Sequence, residues 1–114
     1  VVPPNGACVV TSLTYNILMA LADEARHGYG IIKEIEARLG SEAAPSTAAL
    51  YLALQRLEQE ELLEDAPNRA ADDHARRRYY RPTRGGRALA VRESGRLAEL
   101  VNVARDKKLL PRGV

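Results

Sequence analysis

Residues 50–80 read LYLALQRLEQEELLEDAPNRAADDHARRRYY, and the hydrophobic pattern changes twice within them. Leu50, Ala53, Leu54 and Leu57 recur at helical spacing and, sorted at 100° per residue, fall on one inward stripe. LLED at 62–65 is short and apolar at its start. RRRYYRPT at 76–83 alternates charge with aromatic rings until Pro82, which cannot donate to a β-ladder. With the polar stretch APNRAADDHA between them, the last two segments predict a hairpin with a long tip. On the helix, Ala48, Tyr51, Leu52, Gln55, Arg56 and Gln59 point away from the stripe. One exposed leucine is ordinary on a monomer. Tyr, Gln, Arg and Leu together suit a groove, where Gln and Arg donate to base edges and an apolar side chain meets a thymine methyl.

Working towards the N-terminus, Pro45 precedes Ser46, a good N-cap for this helix, which runs to about Glu60. A second helix is predicted over about Gly28–Leu39 from Tyr29, Ile31, Ile32, Ile35 and Leu39, with Gly40 as its C-cap and Lys33, Glu34, Glu36 and Arg38 outside. A first helix over about Leu13–Ala22, capped by Thr11 or Ser12, places Leu13, Ile17 and Leu21 on one face, and DEARHG links the two. Residues 1–10, with Pro3, Pro4, Asn5 and Gly6, show no period and read as a loose arm. Towards the C-terminus, Thr83 caps a last helix to about Leu110 with Ala90, Leu97, Leu100, Val101 and Ala104 as its apolar stripe. Little chain follows to cover that stripe, and a second copy of the chain is the simplest cover. The expected architecture is mainly α with a small β-hairpin. A winged helix-turn-helix over 11–83 follows the arm, a long dimerisation helix occupies 84–110, and 111–114 form a tail.

The formal net charge of +2 conceals an uneven distribution. Residues 1–66 carry 4 Lys+Arg against 10 Asp+Glu, residues 67–87 carry 7 Arg against 2 Asp, and residues 88–114 carry 6 against 3. Arginines clustered on one element are the electrostatic footprint of phosphate binding. Cys8, the only cysteine, cannot form an internal disulfide, and with His27 and His74 it offers no metal-ligand spacing, so neither metal nor cofactor is expected. Catalysis is not expected either, in the absence of a Ser-His-Asp set, a phosphate loop or a carboxylate pair with a reason to be desolvated. No run of 18 apolar residues spans a membrane and VVPPNGACVV is not a secretion signal, which predicts a cytoplasmic protein. With no Trp and no Phe, the core must come from Leu, Ile, Val and Ala, leaving tyrosines 15, 29, 51, 79 and 80 as hinges or surface contacts.

HGYGIIKEIEARLG at 27–40, PSTAALYLALQRLEQEELLE at 45–64 and RRRYYRPTRGGRALA at 76–90, in that order, resemble the PadR-like transcriptional regulators, prokaryotic winged-helix repressors. The resemblance covers about Leu13–Ala90. It implies that Tyr29, Ser46, Tyr51, Arg76, Arg77 and Arg78 lie near the DNA backbone or groove, that Thr47 beside Ser46 does so too, and that His27 and Gly28 form the turn into the second helix. The single C-terminal helix looks like the short branch of the family, implying dimerisation through that helix and the first, with Tyr15, Leu97, Leu100, Val101 and Ala104 in the seam. Some relatives hold aromatic effectors between subunits; here only Tyr15 could stack on a small-molecule effector, which disfavours one. Three positions depart from the family pattern: Ala48-Ala49 where a glycine-containing turn is common, Glu60-Glu61 where Glu-Gly is common, and Asp72-Asp73, which would repel phosphates at the wing tip.

These readings predict a homodimeric repressor on double-stranded DNA. Gln55 and Arg56 read bases and the base of the wing grips phosphates. If residues 76–78 are strand, alternation puts Arg76 and Arg78 on the DNA side and turns Arg77 to the core or the helix. A second reading, a winged helix that binds an acidic protein, uses the same face, and salt-dependent binding to duplex DNA separates the two.

Overall fold

Four side-chain caps set where the helices begin. In the computed structural model, which describes residues 10–67 and 77–113, Thr11 accepts a hydrogen bond from Thr14 N, His27 from Gly30 N, Ser46 from Ala49 N and Thr83 from Gly86 N. Each bond satisfies one of the otherwise orphaned N–H groups of the first turn, a contribution of roughly 1 kcal/mol. They open α1 (Ser12–Ala20), α2 (Gly28–Leu39), α3 (Thr47–Gln59) and α4 (Arg84–Asp106). The first helix ends before the expected Ala22, where Arg26 Nε donates to the carbonyl of Ala20 at 2.7 Å. A 3-10 turn, Ser41–Ala43, leads from α2 towards α3.

The inward stripe of α3 is as the spacing requires: Leu50, Ala53, Leu54 and Leu57 are buried, against Ile17, Leu18 and Leu21 of the first helical segment and Ile31 and Ile35 of α2. The core is aliphatic with Tyr80 and Leu89 at its edge. Leu13 is only partly buried, and Leu18 takes a core place.

The expected hairpin is part of a three-stranded antiparallel sheet in the order β1-β3-β2. Strands β2 (Leu63–Ala66) and β3 (Tyr79–Pro82) pair as a hairpin, with Glu64 opposite Arg81 and their side chains 2.8 Å apart. The extra strand is β1 (Arg26–His27), inside the segment read as a linker; it sets Arg26 opposite Tyr80 and His27 opposite Tyr79. Two residues are too few to show a period of two. Because β3 begins at Tyr79, Arg77 and Arg78 precede the ladder, and strand alternation does not decide which way they face. The expected arm, apart from Val10, lies outside the described residues, as do Cys8, Asp72, Asp73, His74 and Arg76.

The turn from α3 into β2 closes by two backbone bonds, Leu62 N to Leu57 O at 2.9 Å and Glu61 N to Glu58 O at 3.0 Å. This 6→1 and 5→2 pair places Glu61 in the left-handed region, at φ 60°, a conformation that glycine adopts freely and an L-residue at a cost of about 1–2 kcal/mol. It is the position where the family pattern commonly has glycine. Glu61→Gly is therefore expected to raise stability by about 0.5–1 kcal/mol, after allowance for the greater freedom of glycine in the unfolded chain. A urea midpoint equal to or below wild type would contradict this.

The same turn anchors α4. Thr83 N donates to Leu62 O at 3.0 Å and the Thr83 hydroxyl to Glu61 O at 2.7 Å. Within α4, Gly86, Leu89 and Glu93 are buried; Arg96 donates to the Glu93 carboxylate at 2.9 and 2.6 Å and holds its pKa below the usual glutamate value against the opposing effect of burial. Further along, Leu100, Val101 and Val103 are exposed. The helix stops at Asp106, four residues before the expected Leu110, in a turn of the same kind with Lys108 at φ 60°. Among the described residues no helix is long and apolar enough to cross a membrane.

Candidate nucleic-acid interface

The exposed face of α3 carries Ala48, Tyr51, Leu52, Gln55 and Gln59. Leu52 is 68% exposed, too much for a side chain with a place in the core. Arg56 is exposed as well, on the flank nearest α1, where it donates to Thr14 Oγ1 at 3.1 Å. It flanks the outward sector, close enough to the neighbouring helix to find an acceptor there. Gln55 and, one turn on, Gln59 are the long polar side chains nearest the centre of the face. At the start of the helix Thr47 is exposed, and the Ser46 hydroxyl oxygen accepts the capping bond from Ala49 N at 3.1 Å.

Beside this face lies a cleft of about 330 Å³, lined by His27, Gly28, Tyr29, Tyr51, Arg77, Arg78 and Tyr80. The β1–β3 pairing builds it by bringing the N-terminus of α2 to the return strand of the wing. The His27 ring stands edge-on to Tyr79 at 5.3 Å and lies nearly parallel to Tyr29 at 6.5 Å. Its Nδ1 accepts the capping bond from Gly30 N at 3.0 Å, while Nε2 lies 2.8 Å from Arg77 Nη1. The Tyr51 hydroxyl lies over Gly28, where a β-carbon would come within 2.3 Å of it. Glycine at 28 lets the α3 tyrosine reach the start of α2. Tyr29, 56% exposed, has the Lys33 ammonium 5.3 Å from its ring centre; the Tyr29 hydroxyl and then Glu36 hold Lys33 above the ordinary lysine value.

Arg78 is placed differently from Arg77. Its guanidinium donates to Glu58 of α3 and to Asp65 of β2 and lies 5.1 Å from the centre of the Tyr80 ring. The two carboxylates, Asp65 first, raise its pKa above the ordinary guanidinium value. Burial raises the Tyr80 hydroxyl, an effect that Arg78 opposes.

Of the residues expected at DNA, Tyr29, Tyr51, Arg77 and Arg78 meet in this cleft, Gln55 stands further along α3, Ser46 and Thr47 mark its start, and Arg76 lies outside the described residues. His27, expected in the turn into α2, caps that helix; its second contact, with Arg77, depends on the third strand and has no local signal. On the opposite side, Tyr15 reaches α4 within the same chain, its hydroxyl 2.6 Å from Ser94 Oγ. Leu97 and Ala104 are half-buried, and Leu100 and Val101 are exposed. An apolar groove of about 240 Å³, with Leu18, Met19, Ala22, Ala90 and Val91 among its walls, runs between α1 and α4. No group of three His, Cys, Asp or Glu suited to a metal ion occurs among the described residues.

The family model described as the transcriptional regulator PadR-like family matches residues 17–92, a segment that contains α2, α3, the wing and the start of α4. Uncharacterized protein X of Lysinibacillus sphaericus is 33% identical over 90 residues, which span 76% of this chain and 82% of that protein. Among solved structures, a PadR family transcription regulator from Clostridium difficile superposes with a TM-score of 0.73 at 22% identity, covering 84% of this chain and 97% of that one. Bacillus subtilis PadR, solved in complex with operator DNA, gives a TM-score of 0.60 at 21% identity over 70% of this chain and 45% of that one. At these identities the two solved structures speak for the shared fold.

Proposed function

The chain belongs to the PadR-like family of transcriptional regulators, and we propose that it is a sequence-specific DNA-binding repressor that acts as a homodimer on a palindromic operator. The observation that carries this reading is the juxtaposition of the α3 face, with Gln55 and Leu52 outward, and the cleft of Tyr29, Tyr51 and Arg77 beside it. A helix of this width fits the major groove, where an amide can pair with an adenine edge and a leucine can meet a thymine methyl. The tyrosine hydroxyls and the guanidinium beside it are donors suited to phosphate oxygens, which fix register without reading sequence. Bacillus subtilis PadR, which shares this fold, is solved on operator DNA. A second copy, joined through the exposed stripe of α4 and the α1–α4 groove, would present a second α3 for the other half-site, so that the symmetry of the operator follows that of the protein. Bound there, the dimer represses by occupying the promoter.

Losing a base-reading side chain should weaken the specific site by about 1–3 kcal/mol and random DNA very little. Gln55→Ala is expected to behave in this way in parallel titrations of an operator duplex and a scrambled one. Equal weakening of both would place base reading on another face.

A further inference from the structure

We propose that the two adjacent arginines at the base of the wing divide the work: Arg77 is the phosphate ligand, and Arg78 is a positioning residue that latches the wing to α3. The proposal rests on the DNA-binding reading above and reverses the roles that strand alternation suggested for this pair.

Charge balance separates the two arginines. Arg78 bridges Glu58 on α3 and Asp65 on β2, so the cluster of three carries one net negative charge. A phosphate drawn to Arg78 would have to displace two carboxylates and then lie beside both. The Arg78 guanidinium also lies over the Tyr80 ring, 5.1 Å from its centre, within the range of a cation–π contact. Its three partners belong to the recognition helix and to two strands of the wing, which is the set of contacts a latch requires.

Arg77 bonds no carboxylate among the described residues; the neighbour seen at its guanidinium is the His27 imidazole. An imidazole carries no negative charge, so its 2.8 Å approach to Arg77 does not neutralise the guanidinium as a carboxylate would. An oxyanion entering beside Tyr29 and Tyr51 meets that charge directly.

The test is a set of anisotropy titrations of a duplex covering the chain's own promoter, and of a scrambled duplex, at several salt concentrations. Arg77→Ala should weaken binding to both duplexes and flatten the salt dependence by about one unit per contact, or about two per dimer. Arg78→Ala should leave the salt slope at the wild-type value while the preference for the promoter duplex falls by about tenfold, the scale of one misplaced base contact. Glu58→Gln, which leaves the wing sequence intact, should reproduce that loss of preference, and adding it to Arg78→Ala should cost little more, since both break one latch. A slope that flattens in Arg78→Ala as much as in Arg77→Ala, or an affinity that rises in Glu58→Gln because Arg78 has been released to the backbone, would overturn the division. If wild type binds the promoter duplex and Arg77→Ala keeps its slope, this inference alone fails. A wild type without salt-dependent duplex binding overturns both it and the functional reading.

Discussion

Gly86→Ala is expected to destabilise the fold by about 3 kcal/mol or more, the upper range for a forced overlap in a packed interior. A β-carbon at residue 86 would lie 2.0 Å from the carbonyl oxygen of Leu62 and 3.0 Å from its carbon. These are backbone atoms, so no change of rotamer relieves the clash. The first turn of α4 would have to lift away from the turn that links α3 to the wing, loosening the Thr83 bonds to Leu62 and Glu61 with it. For a domain of this size the melting temperature should fall by roughly 10–20 °C. Gly85→Ala is the control: a β-carbon there finds ordinary contacts at 3.6 Å and beyond, and its melting temperature should stay near wild type. If the two variants melt together, the close approach of α4 to Leu62 is wrong.

The double change Leu97→Glu with Leu100→Glu should convert a dimer into a monomer. Exposed Leu100 and Val101, with half-buried Leu97 and Ala104, form one stripe on a helix whose buried residues end at Glu93. Glutamates there set like charges against each other across a two-fold seam. Sedimentation equilibrium should give twice the 12.5 kDa chain mass for wild type and the single mass for the variant. Affinity for a palindromic duplex should fall by about 100-fold or more, because the second half-site is no longer engaged by a linked partner. A wild type that sediments as a monomer across the micromolar range would contradict the dimer, and with it the palindromic operator.

The parts of this fold legible in the sequence are those governed by neighbours along the chain. The stripe of Leu50, Ala53, Leu54 and Leu57 follows from the helical period, and Ser46 and Thr83 declare themselves as caps because serine and threonine accept from the N–H three residues on. Strand β1 was not legible: Arg26–His27 is a strand only because β3 passes beside it. The same holds at the site. Leu52 and Gln55 could be placed on the outward face by angle, but Tyr51 and Arg56 lie on its two flanks, and what Arg56 meets there, Thr14, is 42 residues away in the chain. Arg77 and Arg78 look equivalent in the run RRRYY. What separates them is that one guanidinium meets two carboxylates and the other an imidazole, a difference made by α3, β2 and β1 together. Glu61 is the intermediate case, since the missing glycine was visible in the sequence and the positive φ it must bear was visible only in the fold.

The most direct test of the DNA-binding account is a titration of wild-type protein against duplexes that tile its own promoter region, repeated from low to high salt. The account predicts that one duplex binds two chains with an affinity well above that of its neighbours, and that the logarithm of the binding constant falls linearly with the logarithm of salt concentration. Failure to bind any of the duplexes at low salt, or binding that salt leaves unchanged, would contradict it.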